Sequence, residues 1–478
     1  MRPNVLLVVL DTARRDAVEP YAQAGHTPAL ADLARRGRAL EHAYATSSWT
    51  LPSHASMFTG LLPRQLGLGQ PPDGTAHAVR PVLERFSERF ITSTLQRAGY
   101  ATRGFSTNLW VSDVTGFDRG FDDFRYVNSG RDERMNALLG QGRRALLAWA
   151  REGLQSRSDD GAAEVGRALR DSIASWSGQP TFWFVNLSEC HSPYLPPRPW
   201  NDLPPWDRAR AALDNKAHLS FHSICMYIAG RHEIPRSALH RMRHLYDRAI
   251  AYMDSWLAGV LEALDARGIL DDTLVIVTSD HGENFGENGL IAHGFSLDER
   301  LIHVPAVLAG PGADIPGELF SLAGLPRMIA DAAGIDPHPW GEDEFPEGAV
   351  ISQFDSMAAA DSERARQGAA EHNLSAEGLD RLCARFTIAT NGRHKLVVRN
   401  ERELFFDLVS DPLEEAPVDL TQDTDAVNGA VATLRAALEH PAATQLGAPA
   451  PEPTSAAPVA SAEELAEIER KMQLLGYM

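Results

Sequence analysis

Three short apolar segments constrain the fold of this chain more than any other feature, because each ends at side chains that bind metals or protons. They are Asn4–Leu10, Thr181–Leu187 and Thr273–Thr278. Asp11 follows the first, Glu189 and His191 follow the second, and Asp280 and His281 follow the third. Ligands of open α/β sheets bind just outside the carboxyl ends of the strands, so we expect these side chains to gather at one edge.

The alternation of such segments with helical stretches predicts the fold class. A further strand is predicted at 305–308, and apolar spacing predicts helices at 27–36 and 237–267. Beyond about residue 340, alternating residues at 394–398 and 403–408 predict an antiparallel hairpin. We therefore predict an α/β protein with a large central, mostly parallel mixed sheet between helices, plus a small C-terminal antiparallel subdomain.

The same reading divides the chain into three regions. Residues 1–340 are predicted to form the catalytic domain, 341–420 a small α+β subdomain, and 421–478 a linker and a terminal helix. The stretch 440–460 is rich in Ala and Pro, as linkers are. The last segment, 461–478, begins with a capping serine and carries apolar residues at helical spacing, which predicts a helix.

Charge and cysteine content limit the partners and the compartment. The 478 residues include 45 basic and 64 acidic side chains, a net charge of -19, which disfavours contact with nucleic acid or with an anionic membrane. The three cysteines, Cys190, Cys225 and Cys383, form no disulfide framework. We see neither an export signal nor a membrane-spanning stretch and expect a cytoplasmic protein. Whether the chain forms a homo-oligomer stays open.

Four motifs carry the candidate chemistry, and each has an ordinary structural reading. Asp11 at a strand end is commonly a turn residue, Thr50 in SSWTLPSHASMFTG a helix cap, and His191 in LSECHSPY a hydrogen-bonded structural residue. TLVIVTSDHGENFGENGLIAHG is harder to explain in that way. Its adjacent Asp280 and His281 leave a strand and offer oxygen and nitrogen ligands to an ion such as zinc or manganese.

Together these motifs resemble the sulfatase-like branch of the alkaline phosphatase superfamily. The resemblance covers 4–312 and resumes in RHKLVVRNERELFFDLVSDPLEE and the terminal LLGYM. Sulfatases of this type carry CxPSR followed by a TG pair. Here the matching segment is TLPSH, which leads to Thr59 and Gly60. The match puts Thr50 at the nucleophile position and His54 in place of the arginine.

The resemblance implies a hydrolase, and the threonine departs from the sulfatase pattern. Sulfatases convert a Cys or Ser to formylglycine, whose second hydroxyl expels sulfate from the covalent intermediate. Thr50 has one hydroxyl and would form an ordinary ester, as in related threonine-dependent phosphatases, phosphodiesterases and phosphoethanolamine transferases. We therefore expect a hydrolase or transferase of phosphate esters, acting on a small anionic metabolite. A sulfatase or sulfuryl transferase, and a catalytically silent binding protein, are the alternatives.

The resemblance also implies a metal site. It gives Asp11, Asp280 and His281 as ligands, completed by the oxygen of Thr50, around one divalent ion that is Mn, Zn, Mg or Ca. Metal contact lowers the pKa of a bound hydroxyl, which makes an alkoxide nucleophile available near neutral pH. Family sulfatases often have a second Asp after the first, but this sequence has Thr12. That difference weakens the case for a calcium site.

Four further residues receive roles from the same match. His191 and His293 are predicted to supply the general acid, and a second ion bound by this pair stays open. Asn108 stands where sulfatases have a lysine and is predicted, with His54, to bind the substrate. Neutral groups in place of lysines suit a monoanionic diester better than a dianionic monoester.

Two acidic residues follow the metal-type segment. Glu283 and Glu287 receive no catalytic role, and we expect them to be solvated at the start of a helix. Cys190 adjoins His191, but nothing in the sequence distinguishes a low-pKa thiol from a buried one.

Overall fold

The computed structural model describes most of the chain. The described residues are 2–22, 25–68, 76–127, 142–157, 159–314, 317–341, 344–356, 361–419 and 425–447. The strands are β1 Asn4–Leu10, β2 Arg38–Ala39, β3 His42–Tyr44, β4 Ala101–Ser106, β5 Asp123–Tyr126, β6 Thr181–Leu187, β7 Thr273–Thr278, β8 Asn284–Phe285, β9 Ile291–Ala292, β10 Ala306–Ala309, β11 Leu319–Ser321, β12 Val350–Phe354, β13 Phe386–Thr390, β14 His394–Arg399 and β15 Arg402–Asp407. The α-helices are α1 Pro28–Arg36, α2 Thr50–Thr59, α3 Pro63–Leu66, α4 Arg80–Glu84, α5 Ile91–Arg97, α6 Arg143–Gln155, α7 Ala162–Ala174, α8 Pro205–His218, α9 Phe221–Ile228, α10 Arg236–Ala266, α11 Glu299–Ile302, α12 Leu325–Ala332, α13 Glu363–Glu371, α14 Ala376–Leu382, α15 Asp425–Leu438 and α16 Pro441–Thr444.

A seven-stranded sheet forms the centre of the protein, with strand order β2-β10-β7-β1-β6-β4-β5. The strands from β7 to β5 are parallel, and β10 runs antiparallel to β7. Strand β1 lies between β6 and β7, so the three segments that end at polar side chains are direct neighbours. The predicted fold class is confirmed, including the large mixed sheet and the separate small antiparallel sheet.

Both faces of β1 are buried, because helices cover the sheet on both sides. Val5, Leu7 and Val9 face a core that includes α2, α5 and α12. Leu6 and Val8 face a second core built with α1, α7 and the long helix α10. A strand that is buried on both faces reads as a continuous apolar run, which explains why β1 was easy to recognise in the sequence.

The predicted elements occur, with small shifts at their ends. Strands β1, β6 and β7 have the predicted limits. The predicted strand at 305–308 is β10, Ala306–Ala309, and the predicted helices at 27–36 and 237–267 are α1 and α10. The predicted hairpin is formed by β14 and β15.

The small sheet, β12-β13-β14-β15, is antiparallel and has two buried faces. Ile388 and Val397 pack on the core of the large sheet, whereas Ala389 and Leu396 pack with α15. The prediction of a linker from residue 440 is wrong for its first residues, because they form helix α16 and two alanines of that helix are buried. The predicted terminal helix, 461–478, lies outside the described residues. The predicted domain boundaries remain predictions.

A fully buried lysine joins the small sheet to the large domain. Lys395 of β14 places its Nζ 3.0 Å from Glu299 Oε1 and 2.8 Å from Glu414 Oε1, and it donates to the carbonyl of Leu297 at 2.6 Å. Burial alone would raise the pKa of Glu299, but the charge of Lys395 holds it at about 2. Burial raises the pKa of Glu414 to about 7 despite the same lysine. Lys395 is therefore the cation that contacts both carboxyl groups, while His303 Nδ1 lies 3.2 Å from the second oxygen of Glu299.

Replacing this cation should destabilise the protein in a pH-dependent way. In Lys395→Met two buried carboxyl groups lose the lysine that they share, although Glu299 keeps its contacts with His303 and Tyr44. Breaking a buried ion pair costs about 3–5 kcal/mol. Without Lys395, burial raises the pKa of both carboxyl groups. The cost should therefore be larger at pH 8 than at pH 6, because the two groups take up protons in the folded variant as the pH falls. Urea unfolding at pH 8 and pH 6 measures both effects.

Arg435 is the matched control, because it forms an exposed ion pair with Glu403 between α15 and β15. Arg435→Met should cost less than about 1 kcal/mol at either pH. Equal losses in the two variants would show that the buried cluster contributes no more than a surface pair.

Candidate active site

Three ligand-type side chains meet at the carboxyl ends of β1 and β7. Asp11, Asp280 and His281 are fully buried, and one ligand atom from each lies within 4.8 Å of the others. Asp11 Oδ1 and Asp280 Oδ2 have no hydrogen-bond partner. Buried carboxylate oxygens without donors are costly, and a bound cation relieves that cost. Among the residues that the structure describes, this is the one such group of three.

The orientation of His281 suits a metal ligand. Its Nδ1 donates to the carbonyl of Gly282 at 2.9 Å, which leaves Nε2 to face the cluster. Nε2 lies 3.4 Å from Asp280 Oδ2 and 3.3 Å from Thr50 Oγ1. Ligands of a tetrahedral ion with bonds of about 2.0–2.1 Å lie roughly 3.3–3.4 Å apart, so these two separations match the spacing around such an ion.

The turn after β7 has no room for a side chain at Gly282. A Cβ there would lie 1.9 Å from the carbonyl oxygen of Arg300. The Gly282 amide donates to Leu301 at 2.8 Å, and Arg14 Nη1 donates to the carbonyl of Glu283 at 3.0 Å. Close backbone packing therefore fixes the direction in which His281 leaves the strand.

Thr50 is the first residue of α2, as its predicted role requires. Trp49 precedes it with extended backbone, and Pro52 lies in the first turn, where its missing N–H costs nothing. Ser53 Oγ donates to the carbonyl of Asp280 at 2.7 Å and ties the helix start to β7. The Thr50 hydroxyl thus lies beside His281 at the positive end of a helix, a favourable position for developing negative charge.

His54 lies beneath the cluster and is fully buried. Its Nδ1 donates to the carbonyl of Thr50 at 3.0 Å and lies 3.4 Å from Asp280 Oδ2, and its ring meets Phe117 and Phe184 edge-on. Burial alone would lower its pKa, but Asp280 raises it. This placement supports Asp280, and the predicted contact with substrate stays a prediction.

Two amides hold one oxygen of Asp11. Asn108 Nδ2 donates to Asp11 Oδ2 at 2.7 Å, and its Oδ1 accepts the amide of Trp110 at 2.9 Å. Asn186, the penultimate residue of the apolar strand β6, donates to the same Asp11 oxygen at 3.2 Å. Asn108 therefore contacts a metal-type ligand, and its predicted contact with substrate stays a prediction. Asn186 was missed, although it is a polar residue in an otherwise apolar run.

The two predicted general acids lie together beside the cluster. The ring of His293 is 4.9 Å from that of His191 and 4.5 Å from that of His281, between centroids. His191 Nδ1 donates to the carbonyl of Ser192 at 2.8 Å. No second group of three metal-type ligands that includes His191 and His293 occurs among the described residues, so the second ion gains no support.

Glu283 lies next to the cluster, where the sequence did not place it. For Glu283 the prediction of a solvated residue at a helix start is wrong, because Glu283 is fully buried and its Oε1 lies 3.0 Å from His293 Nδ1. Glu287 is partly exposed, pairs with Arg14 at 2.7 Å and begins the one-turn 3-10 helix Glu287–Gly289, which follows the short strand β8. Burial raises the pKa of Glu283 to about 8, and burial together with the charge of His281 lowers the pKa of His293. The position directly after Asp-His-Gly was the available signal.

The comparisons with known proteins agree with this geometry. The sequence profile of the sulfatase family matches residues 3–319. The chain belongs to the sulfatase family. The choline-sulfatase of Rhizobium meliloti (strain 1021) is 24% identical over 386 residues, which cover 71% of this chain and 70% of that protein. The arylsulfatase of Clostridium perfringens (strain 13 / Type A) is 24% identical over 354 residues, or 66% of this chain and 70% of that protein.

Solved structures share the fold of this sulfatase-family protein. The phosphonate monoester hydrolase of Agrobacterium radiobacter superposes with a TM-score of 0.62 at 21% identity and covers 91% of this chain and 96% of that chain. The phosphonate monoester hydrolase SpPMH from Silicibacter pomeroyi gives a TM-score of 0.62 at 18% identity, with 92% and 95% covered. No helix in the described part of this family member is long and apolar enough to cross a membrane.

Electrostatics in this sulfatase-family site favour a bound cation. Burial, and then the charge of Asp280, raise the pKa of Asp11 to about 6. Burial opposes ionisation of Asp280 too, but His281 and His54 hold its pKa below the usual range. Cys190 donates to the carbonyl of Asp11 at 3.0 Å, and burial raises its thiol pKa, so it acts as a packing residue. The metal-free site therefore holds two carboxyl groups that destabilise each other.

In the variant Asp11→Asn of this sulfatase-family protein, metal binding should be lost and the metal-free protein should be more stable. Removing one of two neighbouring buried carboxylates should stabilise the metal-free protein at pH 8 by roughly 1–3 kcal/mol. Wild type should gain about 2.7 kcal/mol from an ion at 100 times its Kd, and the variant should gain almost nothing at that concentration. Urea unfolding of chelator-treated protein, with and without manganese or zinc, measures both terms.

Asp254→Asn is the matched control. Asp254 is a buried carboxyl group that accepts the amides of Ala29 and Leu30 at the start of α1, and burial raises its pKa to about 6. This variant should keep the full response to metal. A metal response that survives in Asp11→Asn would remove Asp11 from the ligand set.

Proposed function

We propose that this sulfatase-family protein is a metal-dependent hydrolase or transferase of phosphate esters that works through a covalent intermediate on Thr50. One observation carries the proposal. The Thr50 hydroxyl lies 3.3 Å from His281 Nε2, at the edge of the Asp11, Asp280 and His281 cluster and at the start of α2. That is the place where a nucleophile of this family is expected.

The chemistry of threonine favours phosphate over sulfate. The hydrated aldehyde of formylglycine expels sulfate through its second hydroxyl, and Thr50 has no second hydroxyl. An ester on Thr50 has to be cleared by water or by another acceptor that attacks the transferred group. Phosphorus centres accept such an attack in threonine-dependent relatives, so we propose that the transferred group is a phosphoryl group.

The cluster is the proposed site of one divalent ion. Asp11, Asp280 and His281 would hold it, and the Thr50 oxygen would complete the shell. When bound, such an ion supplies positive charge that lowers the pKa of a neighbouring hydroxyl and offsets charge on the transferred group. The residues of the chain then position the hydroxyl and the ester, because Ser53 and the turn at Gly282 fix both sides of the cluster.

Protonation of the leaving oxygen is assigned to the pair His191 and His293. Glu283 holds Nδ1 of His293, so a proton delivered from this ring would leave from Nε2. His191 presents the same edge, because its Nδ1 is used by the carbonyl of Ser192. Proton transfer from a positioned side chain contributes about 10²–10⁴ in rate when the leaving group is a poor one.

Charge at the site supports a monoanionic substrate. The side chains that the fold brings to the cluster are His54, Asn108, His191 and His293, in place of fixed cations. A phosphodiester carries a single negative charge, as does a phosphonate monoester, the substrate class named for the two structural relatives. We propose a small soluble diester or monoester, with the diester preferred. We also keep the proposals of a cytoplasmic protein without nucleic-acid or membrane partners.

The names of the sequence relatives favour a second candidate function. Choline-sulfatase and arylsulfatase act on sulfate esters by name, so a sulfatase that uses Thr50 directly is the alternative. A catalytically silent binding protein is the candidate of another class. Turnover of phosphate esters that does not depend on Thr50 would contradict the phosphate-ester enzyme with a Thr50 intermediate, the sulfatase that uses Thr50 and the silent binding protein.

The variant Thr50→Ala should abolish turnover without unfolding the protein. We expect a loss of at least about 10³ in kcat with bis-p-nitrophenyl phosphate, because no other group forms the intermediate. The measurement compares phosphodiester, phosphomonoester and sulfate esters in protein reloaded with manganese or zinc. After rapid acid quenching of the reaction with bis-p-nitrophenyl phosphate, mass spectrometry should find a p-nitrophenyl phosphoryl group on the peptide that contains Thr50, because one p-nitrophenolate leaves and the other stays bonded to phosphorus.

Thr59→Ala is the matched control, because Thr59 is also buried in α2 and its hydroxyl donates to the carbonyl of Ala55. This variant should keep activity close to that of wild type. If only sulfate esters are cleaved, the sulfatase alternative is correct. If neither ester is cleaved although metal binds, the silent binding protein is favoured.

Replacing His293 should affect substrates according to their leaving groups. In His293→Gln, hydrolysis of an alkyl phosphodiester should slow by about 10²–10⁴, because an alkoxide needs a proton. Hydrolysis of the p-nitrophenyl ester should slow much less. Glu283→Gln should show the same selectivity with a smaller loss, and His338→Gln is the control because His338 pairs with Asp331 elsewhere. Equal slowing of both esters would assign His293 to binding.

A further inference from the structure

Both buried carboxylates of the cluster have one oxygen occupied and one oxygen open. Asp280 Oδ1 accepts the backbone amides of Thr12 at 3.1 Å and His281 at 3.0 Å. Its Oδ2 accepts no hydrogen bond and lies 3.4 Å from a ring nitrogen of His54 and of His281. Asp11 shows the same division. Its Oδ2 accepts Asn108 and Asn186, and its Oδ1 has no partner. Each carboxylate therefore offers a single oxygen to the centre of the cluster.

The strand pairing explains how Asn186 reaches Asp11. Asn186 pairs with Val9 across β6 and β1, and the amide of Asp11 donates to the carbonyl of Leu187 at 2.9 Å. The side chain of Asn186 is fully buried, and its Oδ1 has no hydrogen-bond partner. A buried amide carbonyl without a donor is unfavourable for folding. Stability therefore gives little reason for an asparagine here, and its contact with Asp11 gives a functional one.

From this geometry we propose that Asn108 and Asn186 are positioning residues that make Asp11 a one-oxygen ligand and so bias the site toward manganese- or zinc-type ions and against calcium. The donor set is then one oxygen each from Asp11 and Asp280, the nitrogen of His281 and the hydroxyl of Thr50. Four donors that include an imidazole suit Zn²⁺ or Mn²⁺. Calcium takes six to eight oxygen ligands and commonly binds both oxygens of a carboxylate.

The two asparagines act in different ways on the same oxygen. Asn108 is anchored, because the amide of Trp110 holds its Oδ1, and its contact with Asp11 is the shorter one at 2.7 Å. Asn186 is held by the strand and adds the second donor at 3.2 Å. Together they fill the acceptor sites of Asp11 Oδ2 that would otherwise allow the carboxylate to rotate and bind an ion with both oxygens. Loss of either donor should loosen that restraint.

The inference rests on the proposed metal site and not on the nucleophile, so it can fail alone. The test measures the affinity of metal-free protein for Mn²⁺, Zn²⁺ and Ca²⁺ by chelator competition, without any turnover. For wild type we expect Mn²⁺ and Zn²⁺ to bind more tightly than Ca²⁺. In Asn186→Leu the affinity for Mn²⁺ and Zn²⁺ should fall about 10–100-fold, as for other residues that orient a metal ligand. The affinity for Ca²⁺ should fall less, so the ratio of Mn²⁺ to Ca²⁺ affinity should fall.

Asn186→Asp is the second variant and keeps the test decisive if Asn186→Leu does not fold. It removes the donor and adds a carboxylate, so the Mn²⁺ to Ca²⁺ ratio should fall further. Asn201→Leu is the matched control, because Asn201 is a buried asparagine that donates to Ser156 away from the cluster. An unchanged ratio in both Asn186 variants, or a wild type that binds Ca²⁺ as tightly as Mn²⁺, overturns the proposal. A loss of turnover in Thr50→Ala leaves it standing.

Discussion

Two buried carboxylates at the ends of neighbouring strands determine which groups have to pack around them in this structure. Asp11 and Asp280 sit in the interior with one open oxygen each, and each raises the cost of ionising the other. Backbone amides, two asparagines and two histidines surround them and reduce that cost without removing it. A divalent ion completes the balance, which is why the site and the stability of the protein are linked.

The sheet places these residues, and its geometry explains how much of the site could be predicted. Apolar strands that end in Asp11 and in Asp280 and His281 are visible in the sequence, and parallel pairing of β1 with β7 brings their ends together. The fold class and the cluster of three ligands were therefore predictable. The limits of α1, α10 and β10 moved by one residue, because helix and strand ends depend on local hydrogen bonds that spacing does not report.

The contacts between side chains were not predictable in the same way. The contact of the Asn108 amide with Asp11 was not predicted, and its substrate contact stays a prediction. Glu283 was expected in solvent, yet it is buried against His293. The alternating pattern of β14 predicts a strand but not a buried ion pair for Lys395. Its partner Glu299 lies nearly a hundred residues earlier in the chain. Such pairings depend on tertiary packing, which a single sequence does not encode in its spacing.

The overall charge of the protein makes a local cation more important for function. A chain of net charge -19 repels an anionic ester, and the side chains gathered at the cluster are acids, amides and histidines. An imidazole attracts an anion only while it is protonated, and the proposed transfer to the leaving oxygen removes that proton, so His191 and His293 do not act as fixed cations. On the proposed function, the positive charge that draws the ester in would come from an ion held by Asp11, Asp280 and His281. Such an ion would also reduce the mutual repulsion of the two carboxylates, so substrate attraction and the stability of the site would depend on the same binding event.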